Sequence, residues 1–299
     1  MSQPRVLCIG DVMLDVVVKI QGEIHFGSDT PSKISTHGGG AAGNVASWIT
    51  CCNVGAEIVA RVGDDPAGLA ITTEFDALGV TYNNLVVKGY PTGVVVVLVD
   101  KDGERTMFPE TGANSGLQVR DMPILEDFVA AYISGYALLD PRSRPGVLEM
   151  IKVIRNHTLP IFFDPCTIGA MNDVELSIIR SWLPLMDAIF PNEEEALYIS
   201  ESSNLEDAMS RLLEWTPMVI VKRGAQGAAG IIRGSGAIFV PAVPVAVVDT
   251  TGAGDSFAAG FIAQHVKGGD LASSLQSGAL SAAQCVANIG ARPQVGHAL

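Results

Sequence analysis

Short apolar runs and stretches of helical period alternate through the middle of this chain, and that alternation limits the possible folds more than any other feature. Strand-like runs fall at 58–62, 131–134, 159–163, 188–190, 218–221 and 230–232. Helical stretches are expected at 41–51, 68–78, 147–156, 174–183, 193–199 and 205–214. Buried strands separated by helices pair most readily in parallel, with helices covering both faces of the sheet. A strand at the start of the chain ends in Gly10, and after Ala253 the residues Ala258, Phe261, Ile262 and Val266 recur at helical spacing. The expectation is an α/β fold around a mainly parallel sheet.

Two further segments read as a small sheet of their own. Val16 to Ile20 is one, and 92–100 with 104–108 reads as a hairpin across Lys101, Asp102 and Gly103. With no internal repeat or long linker, residues 1–299 read as a single domain whose small sheet draws on segments 12–37 and 91–111. The run Val94 to Val99 is far too short for the ~20 residues of a membrane span.

Composition removes some functional classes. Apolar residues make up 48% and charged residues 17%, so a globular protein is expected rather than a disordered one. The formal net charge is -13 and no Lys/Arg cluster exists, which argues against a nucleic-acid partner. Anionic small substrates stay open, because a local site can be positive on an acidic protein. The five cysteines form no CxxC pair and are odd in number, which suggests reduced thiols and a cytoplasmic location. A strand-like run begins near residue 1, so no signal peptide is expected.

Chemistry concentrates in Asp249-Thr250-Thr251-Gly252-Ala253-Gly254-Asp255-Ser256-Phe257. A small-residue turn here opens a helix, and Asp255 sits just inside it. A helix start offers free N–H groups and a partial positive charge, which suits a phosphate. A carboxylate beside that anion makes sense if it takes a proton from a hydroxyl while the N–H groups hold a phosphoryl group in transfer. No GxxxxGK[ST] sequence exists, so if the chain handles ATP this turn must be the phosphate anchor.

Four weaker motifs each carry a bland alternative. Gly38 to Asn44 could admit a polyol close to the backbone, or be a flexible turn leading into a helix. Asp11 and Asp15 follow the first strand, where ligands gather in doubly wound folds, or are two turn acids. Asn192 and Glu195 could organise a hydrated Mg²⁺, or merely form a capping box. Lys222-Arg223-Gly224-Ala225-Gln226-Gly227 could lie below a nucleotide or be a simple hairpin. The five histidines have no metal spacing and no nucleophile pattern.

Taken in order, GGGAAGN, PNEEE, KRGAQG and DTTGAGDSF resemble the ribokinase-like (PfkB) family of carbohydrate and nucleoside kinases over essentially the whole chain. The resemblance implies a three-layer α/β/α fold with a small β-sheet lid, and in-line phosphoryl transfer from Mg·ATP to a hydroxyl. It implies Asp255 as catalytic base, with Gly252, Ala253 and Gly254 as anion hole. It implies Asp15, Gly39, Gly40 and Asn44 at the sugar, Asn192 and Glu195 near Mg²⁺, and Lys222, Gly224 and Gly227 at the nucleotide. In some members Asp249 and Thr251 match positions that help hold a monovalent cation such as K⁺. Arg105, in a Gly-Glu-Arg-Thr lid sequence, is placed to touch the acceptor or to be a hairpin charge.

Departures from ribokinases proper are Met13 and Ala41, where Asn and Lys are usual, and these weaken the case for ribose itself. Cys166 stands where many relatives have Asn, and the opening Gly10 to Asp15 looks more like heptose-phosphate kinases. The expected activity is ATP-dependent phosphorylation of a small sugar or sugar derivative. The rivals are a nucleoside kinase, with Phe108 or Tyr90 to stack a base, and a catalytically silent sugar-binding regulator. A dehydrogenase would need a second glycine where Val12 stands. Val94 to Val99 is expected as an exposed lid edge, which suggests a homodimer pairing lids.

Overall fold

The computed structural model describes residues 3–83, 85–100 and 104–294. Among the described residues one sheet has nine strands. Their order from edge to edge is Ile238–Val240, Ala228–Ile232, Met218–Lys222, Ala188–Ile189, Ile161–Asp164, Phe128–Ser134, Arg5–Ile9, Gly55–Val59 and Thr81–Tyr82. Neighbours pair in parallel from Met218–Lys222 to Thr81–Tyr82, and the other two strands are added antiparallel. The mainly parallel sheet expected from the alternation is therefore present.

The strands read as continuous apolar runs because both faces are covered. In Arg5–Ile9, Val6 and Cys8 enter one core and Leu7 and Ile9 the other, all fully buried. The first core is closed by helices Ala41–Cys51, Pro66–Leu78, Ala253–Val266 and Leu271–Val286. Helices Arg144–Asn156, Leu176–Trp182, Glu193–Ser200 and Leu205–Leu212 close the second. The result is a three-layer α/β/α arrangement. Among the described residues no helix is long and apolar enough to cross a membrane.

A second sheet of four strands has the order Ser32–Gly39, Met13–Ile20, Val94–Val99, Arg105–Glu110. Its central pair is parallel and its outer pairs antiparallel. Strands 94–99 and 105–110 are the expected hairpin, while its turn at Lys101 to Gly103 lies outside the described residues, as does His297. Val94–Val99 is not an edge strand: it is paired on both sides, and the edges are Ser32–Gly39 and Arg105–Glu110. Apolar content showed that a strand existed here but not which strands flank it.

The small sheet is rooted on the large unit through Asp65. This residue caps helix Pro66–Leu78 by accepting from the Gly68 N–H at 2.9 Å. It also accepts from the Thr92 N–H at 2.8 Å and the Thr92 hydroxyl at 2.5 Å, just before strand Val94–Val99. Asp65→Ala should cost about 1–2 kcal/mol, the usual worth of such a cap. A urea midpoint equal to the wild type's would show that the root carries no load.

Candidate active site

Just past the carboxyl ends of the parallel strands, the chain lines one cleft with polar residues. Asp11 follows strand Arg5–Ile9, Tyr136 follows Phe128–Ser134, and Asn192 follows Ala188–Ile189. Asp164 and Lys222 are themselves the last residues of Ile161–Asp164 and Met218–Lys222. Open α/β sheets gather ligands at this end, where helix starts and strand ends meet. The cleft encloses about 1510 Å³ and is covered on one side by Asp15, Val95, Val97, Met107 and Pro109 of the small sheet.

Asp255 is the third residue of helix Ala253–Val266, whose start is set by Gly252 in a left-handed conformation (φ 76°). A side chain on Gly252 would come within 2.7 Å of the Ala291 backbone, so only glycine makes this turn here. Desolvation raises the Asp255 pKa to about 7, with Asp164 adding to the rise. The Asn44 amide, which donates to Oδ2 at 2.8 Å, and the Lys222 ammonium work the other way.

Asn44 lies in helix Ala41–Cys51, which begins from the glycine segment. Its orientation is set by Arg292, whose Nε donates to Asn44 Oδ1 at 3.3 Å. A guanidinium only donates, so the amide oxygen faces Arg292 and the NH₂ faces Asp255. Arg292 also donates to the Gly39 carbonyl at 2.7 Å and pairs with Glu74 at 2.6 Å, over the Phe75 ring. Burial pulls the Arg292 pKa below its ordinary value, against the pull of Glu74.

Asp15 faces the same cleft. Burial raises its pKa to about 6, although Arg292 opposes the rise. Gly39 lies behind it, and a Cβ there would reach within 2.2 Å of an Asp15 carboxylate oxygen. Gly40 turns the chain with φ 86° into the helix. Asp11 is occupied structurally: it accepts from the Ala41 N–H at 2.9 Å and the Ser134 hydroxyl at 2.8 Å.

On the far side of the cleft, Lys222 Nζ pairs with Asp164 at 2.5 Å. Burial works against the ammonium, but Asp164 and Glu195 outweigh it and hold the Lys222 pKa above the ordinary lysine value. A Cβ on Gly254 would lie 3.3 Å from Nζ, so the cation sits beside the small-residue turn. Arg223 to Gly227 is a hairpin, closed by Arg223 N–H to the Gly227 carbonyl at 2.9 Å, and it also lines the cleft. Gly224 and Gly227 take positive φ, and a side chain on Gly227 would collide with the Val240 carbonyl.

Asn192 and Glu195 form the expected capping box: Asn192 Oδ1 accepts the Glu195 N–H at 2.8 Å, and Glu195 Oε2 accepts the Asn192 N–H at 2.9 Å. Glu195 is 2% exposed, and burial pushes its carboxyl upward. Both residues also line the cleft, so the capping box does not exclude a ligand there. Among the described residues no group of three or more His, Cys, Asp or Glu could hold a metal. A carboxylate with spare lone pairs fits a hydrated Mg²⁺ held through water better than a direct protein cage.

Arg105, Asp249 and Gly39 do not line the cleft. The Arg105 guanidinium pairs with Asp249 Oδ1 at 2.5 Å and donates to the Thr251 hydroxyl. It therefore faces the two residues expected at a monovalent cation, not the acceptor space. Phe108 and Tyr90, considered for stacking a base, are exposed and outside the cleft. Cys166 takes φ 77°, a conformation Asn adopts more readily.

Sequence reading missed Arg292, Asp164 and Asn114. Asn114 bonds both the N–H (2.9 Å) and the carbonyl (2.8 Å) of Val12 and so fixes the strand that bears Asp15. None belongs to a spaced motif. Only Asp164, which ends the apolar run Ile161-Phe162-Phe163, stood out from its neighbours.

Comparison with known proteins gives consistent matches. The model of the pfkB family of carbohydrate kinases matches residues 3–296. A fructokinase of Klebsiella pneumoniae is 30% identical over 269 residues, covering 87% of this chain and 83% of that protein. The adenosine kinase of Sinorhizobium meliloti superposes with a TM-score of 0.88 at 26% identity, covering 99% of this chain and 98% of that one. An Escherichia coli chain assigned as a ribokinase II, solved with ATP and Mg²⁺, gives 0.87 at 27% identity, with 97% and 94% covered.

In the free protein, the Asp255 carboxyl should titrate near 7 by ¹³C NMR. Asn44→Ala removes a donor that favours the charged form, so it should move that titration upward. A midpoint near the ordinary aspartate value of ~4 would refute the electrostatic reading.

Proposed function

The chain belongs to the pfkB family of carbohydrate kinases, phosphotransferases with an alcohol group as acceptor, and on that premise we propose that it moves the γ-phosphoryl group of ATP to a hydroxyl of a small sugar or sugar derivative. The observation that carries this is the meeting of Asp255, Asn44, Asp15 and the Gly252–Gly254 turn in one cleft. Asp15 and Asn44 would hold the acceptor, and Asp255 would take the hydroxyl proton as the oxygen attacks the γ-phosphorus. ADP leaves on the opposite side. A pKa of about 7 leaves Asp255 ionised often enough to accept a proton, yet basic enough to draw one. The N–H groups of the helix start and the Lys222 ammonium would stabilise charge on the moving phosphoryl group.

Asn192 and Glu195 would hold Mg²⁺ through water, where it would supply positive charge against the nucleotide phosphates. Gly224 and Gly227 leave room for the nucleotide against the hairpin. Val243, Val245, Ala279 and Ala283 offer an apolar slot for the base. The small sheet would act as a lid that excludes water and limits wasteful hydrolysis.

One observation favours a second reading. Val95, Val97, Met107 and Pro109 present an apolar ceiling to the acceptor, which suits a nucleoside as well as a sugar derivative. An ADP-release screen with Mg·ATP over sugars, sugar phosphates and nucleosides distinguishes them. Ligand binding without ADP release by any of these would replace the kinase reading with a silent regulator.

Asp255→Asn should lose at least ~100-fold in kcat while calorimetric affinity for the acceptor holds. Because the folded pKa is raised, the native carboxyl keeps its proton through the range between the unfolded value and about 7. The ionised form therefore weighs against folding above that range. The amide should melt no lower than the wild type at pH 8. Near wild-type turnover in this variant would remove Asp255 as base.

A homodimer through the lid also belongs to this reading. The face turned away from the cleft carries Val18, Leu98, Ile34 and Phe108, the last two 65% and 54% exposed. Light scattering at micromolar concentration should give twice the chain mass, and a monomer would reject the dimer.

A further inference from the structure

We infer that Arg105 is a tethered cation that sets the anion cradle from the lid, in the position where a dissolved monovalent ion would otherwise act. The inference rests on the kinase reading and concerns how its phosphoryl-binding turn is held.

Asp249 and Thr251 begin the turn that runs through Gly252 into helix Ala253–Val266. A dissolved K⁺ would have to displace donors already bound to their side-chain oxygens. Asp249 Oδ1 accepts the Thr251 N–H at 2.8 Å and Arg105 Nη2 at 2.5 Å. Asp249 Oδ2 accepts the Gly290 N–H at 3.1 Å. The Thr251 hydroxyl accepts from the other arm of the same guanidinium. A planar fork with a permanent charge thus bridges both residues. The pair is partly shielded, with Arg105 25% and Asp249 13% exposed. Burial alone would raise the Asp249 carboxyl, but the Thr251 and Gly290 amides and Arg105 together hold it below the usual range.

The consequence is mechanical. On one side the turn is fixed to Gly290 and packed on Ala291 through Gly252. On the other it is fixed by Arg105, which stands in lid strand Arg105–Glu110 opposite Val99. The direction of the N–H groups at the helix start therefore depends on a lid residue. Arg105 touches no reacting atom in this scheme and is a positioning residue. The chain carries its own cation and should not need one from solution.

Two measurements test this, one of them independent of turnover. Melting curves of the wild type in K⁺ or in tetramethylammonium at equal ionic strength should coincide. A saturable, K⁺-specific rise in melting temperature would overturn the inference, whether or not any acceptor has been found. In the acceptor assay, Arg105→Ala should lose about tenfold or more in kcat with little change in acceptor KM, because the cradle and not acceptor binding is disturbed. Added guanidinium ion should restore part of that loss, and Arg105→Lys should retain more activity than Arg105→Ala. Arg105→Ala with at least half the wild-type kcat would also overturn it. Absence of acceptor-stimulated turnover in the wild type would instead count against the kinase reading, leaving the melting comparison to decide the role of Arg105.

Discussion

The hydrogen bond from Asn44 to Asp255 joins residues 211 positions apart, and the rest of the site is arranged around it. It ties the glycine segment near the start of the chain to the helix start near its end. The bond has a fixed sense because Arg292 can only donate to the other end of the amide. Arg292 is in turn paired with Glu74 and laid over Phe75. A continuous line of polar groups therefore runs from helix Pro66–Leu78 to helix Ala253–Val266. Such a network is favourable only when each member is satisfied, since an unpaired buried charge costs far more than one good bond returns.

The second organising feature is a gathering of carboxylates around few cations. Asp11, Asp15, Asp164, Glu195 and Asp255 all line the cleft, together with Lys222. Desolvation and mutual repulsion raise several of them, while Lys222 stays charged because Asp164 and Glu195 surround it. This arrangement opposes stability and favours chemistry. A carboxyl near neutrality can exchange a proton, whereas one at its ordinary value would hold none. The helix start supplies the opposite polarity within the same few ångströms, so the acidic protein keeps a local place for an anion.

Much of this was visible in local pattern. The alternation of runs predicted the parallel sheet, and the glycines at 38–40 and 252–254 predicted close backbone approach. The structure supplies their cause in the approach of Gly39 to Asp15 and of Gly252 to Ala291. Asn192 and Glu195 form the capping box and also line the cleft, so the capping interpretation does not exclude a ligand on the same residues. Strand Ser32–Gly39 was legible only as part of segment 12–37, because Ser-Lys-Ile-Ser-Thr-His-Gly-Gly has no apolar alternation. Val94–Val99 was legible as a strand but not as an inner one.

What the sequence determined by itself is therefore most of the central strands and helices, and the helix start that can receive a phosphate with a carboxylate beside it. Periodicity and turn chemistry act within a few residues, and a single chain displays them directly. Tertiary structure alone decided which charged and polar groups meet: Arg292 with Asn44, Lys222 with Asp164, and Arg105 with Asp249 and Thr251. Those pairs are separated by 58 to 248 positions, and their formation depends on how sheet, helices and lid pack. No local rule carries that information, because the energy of a pair depends on burial and on every neighbouring charge.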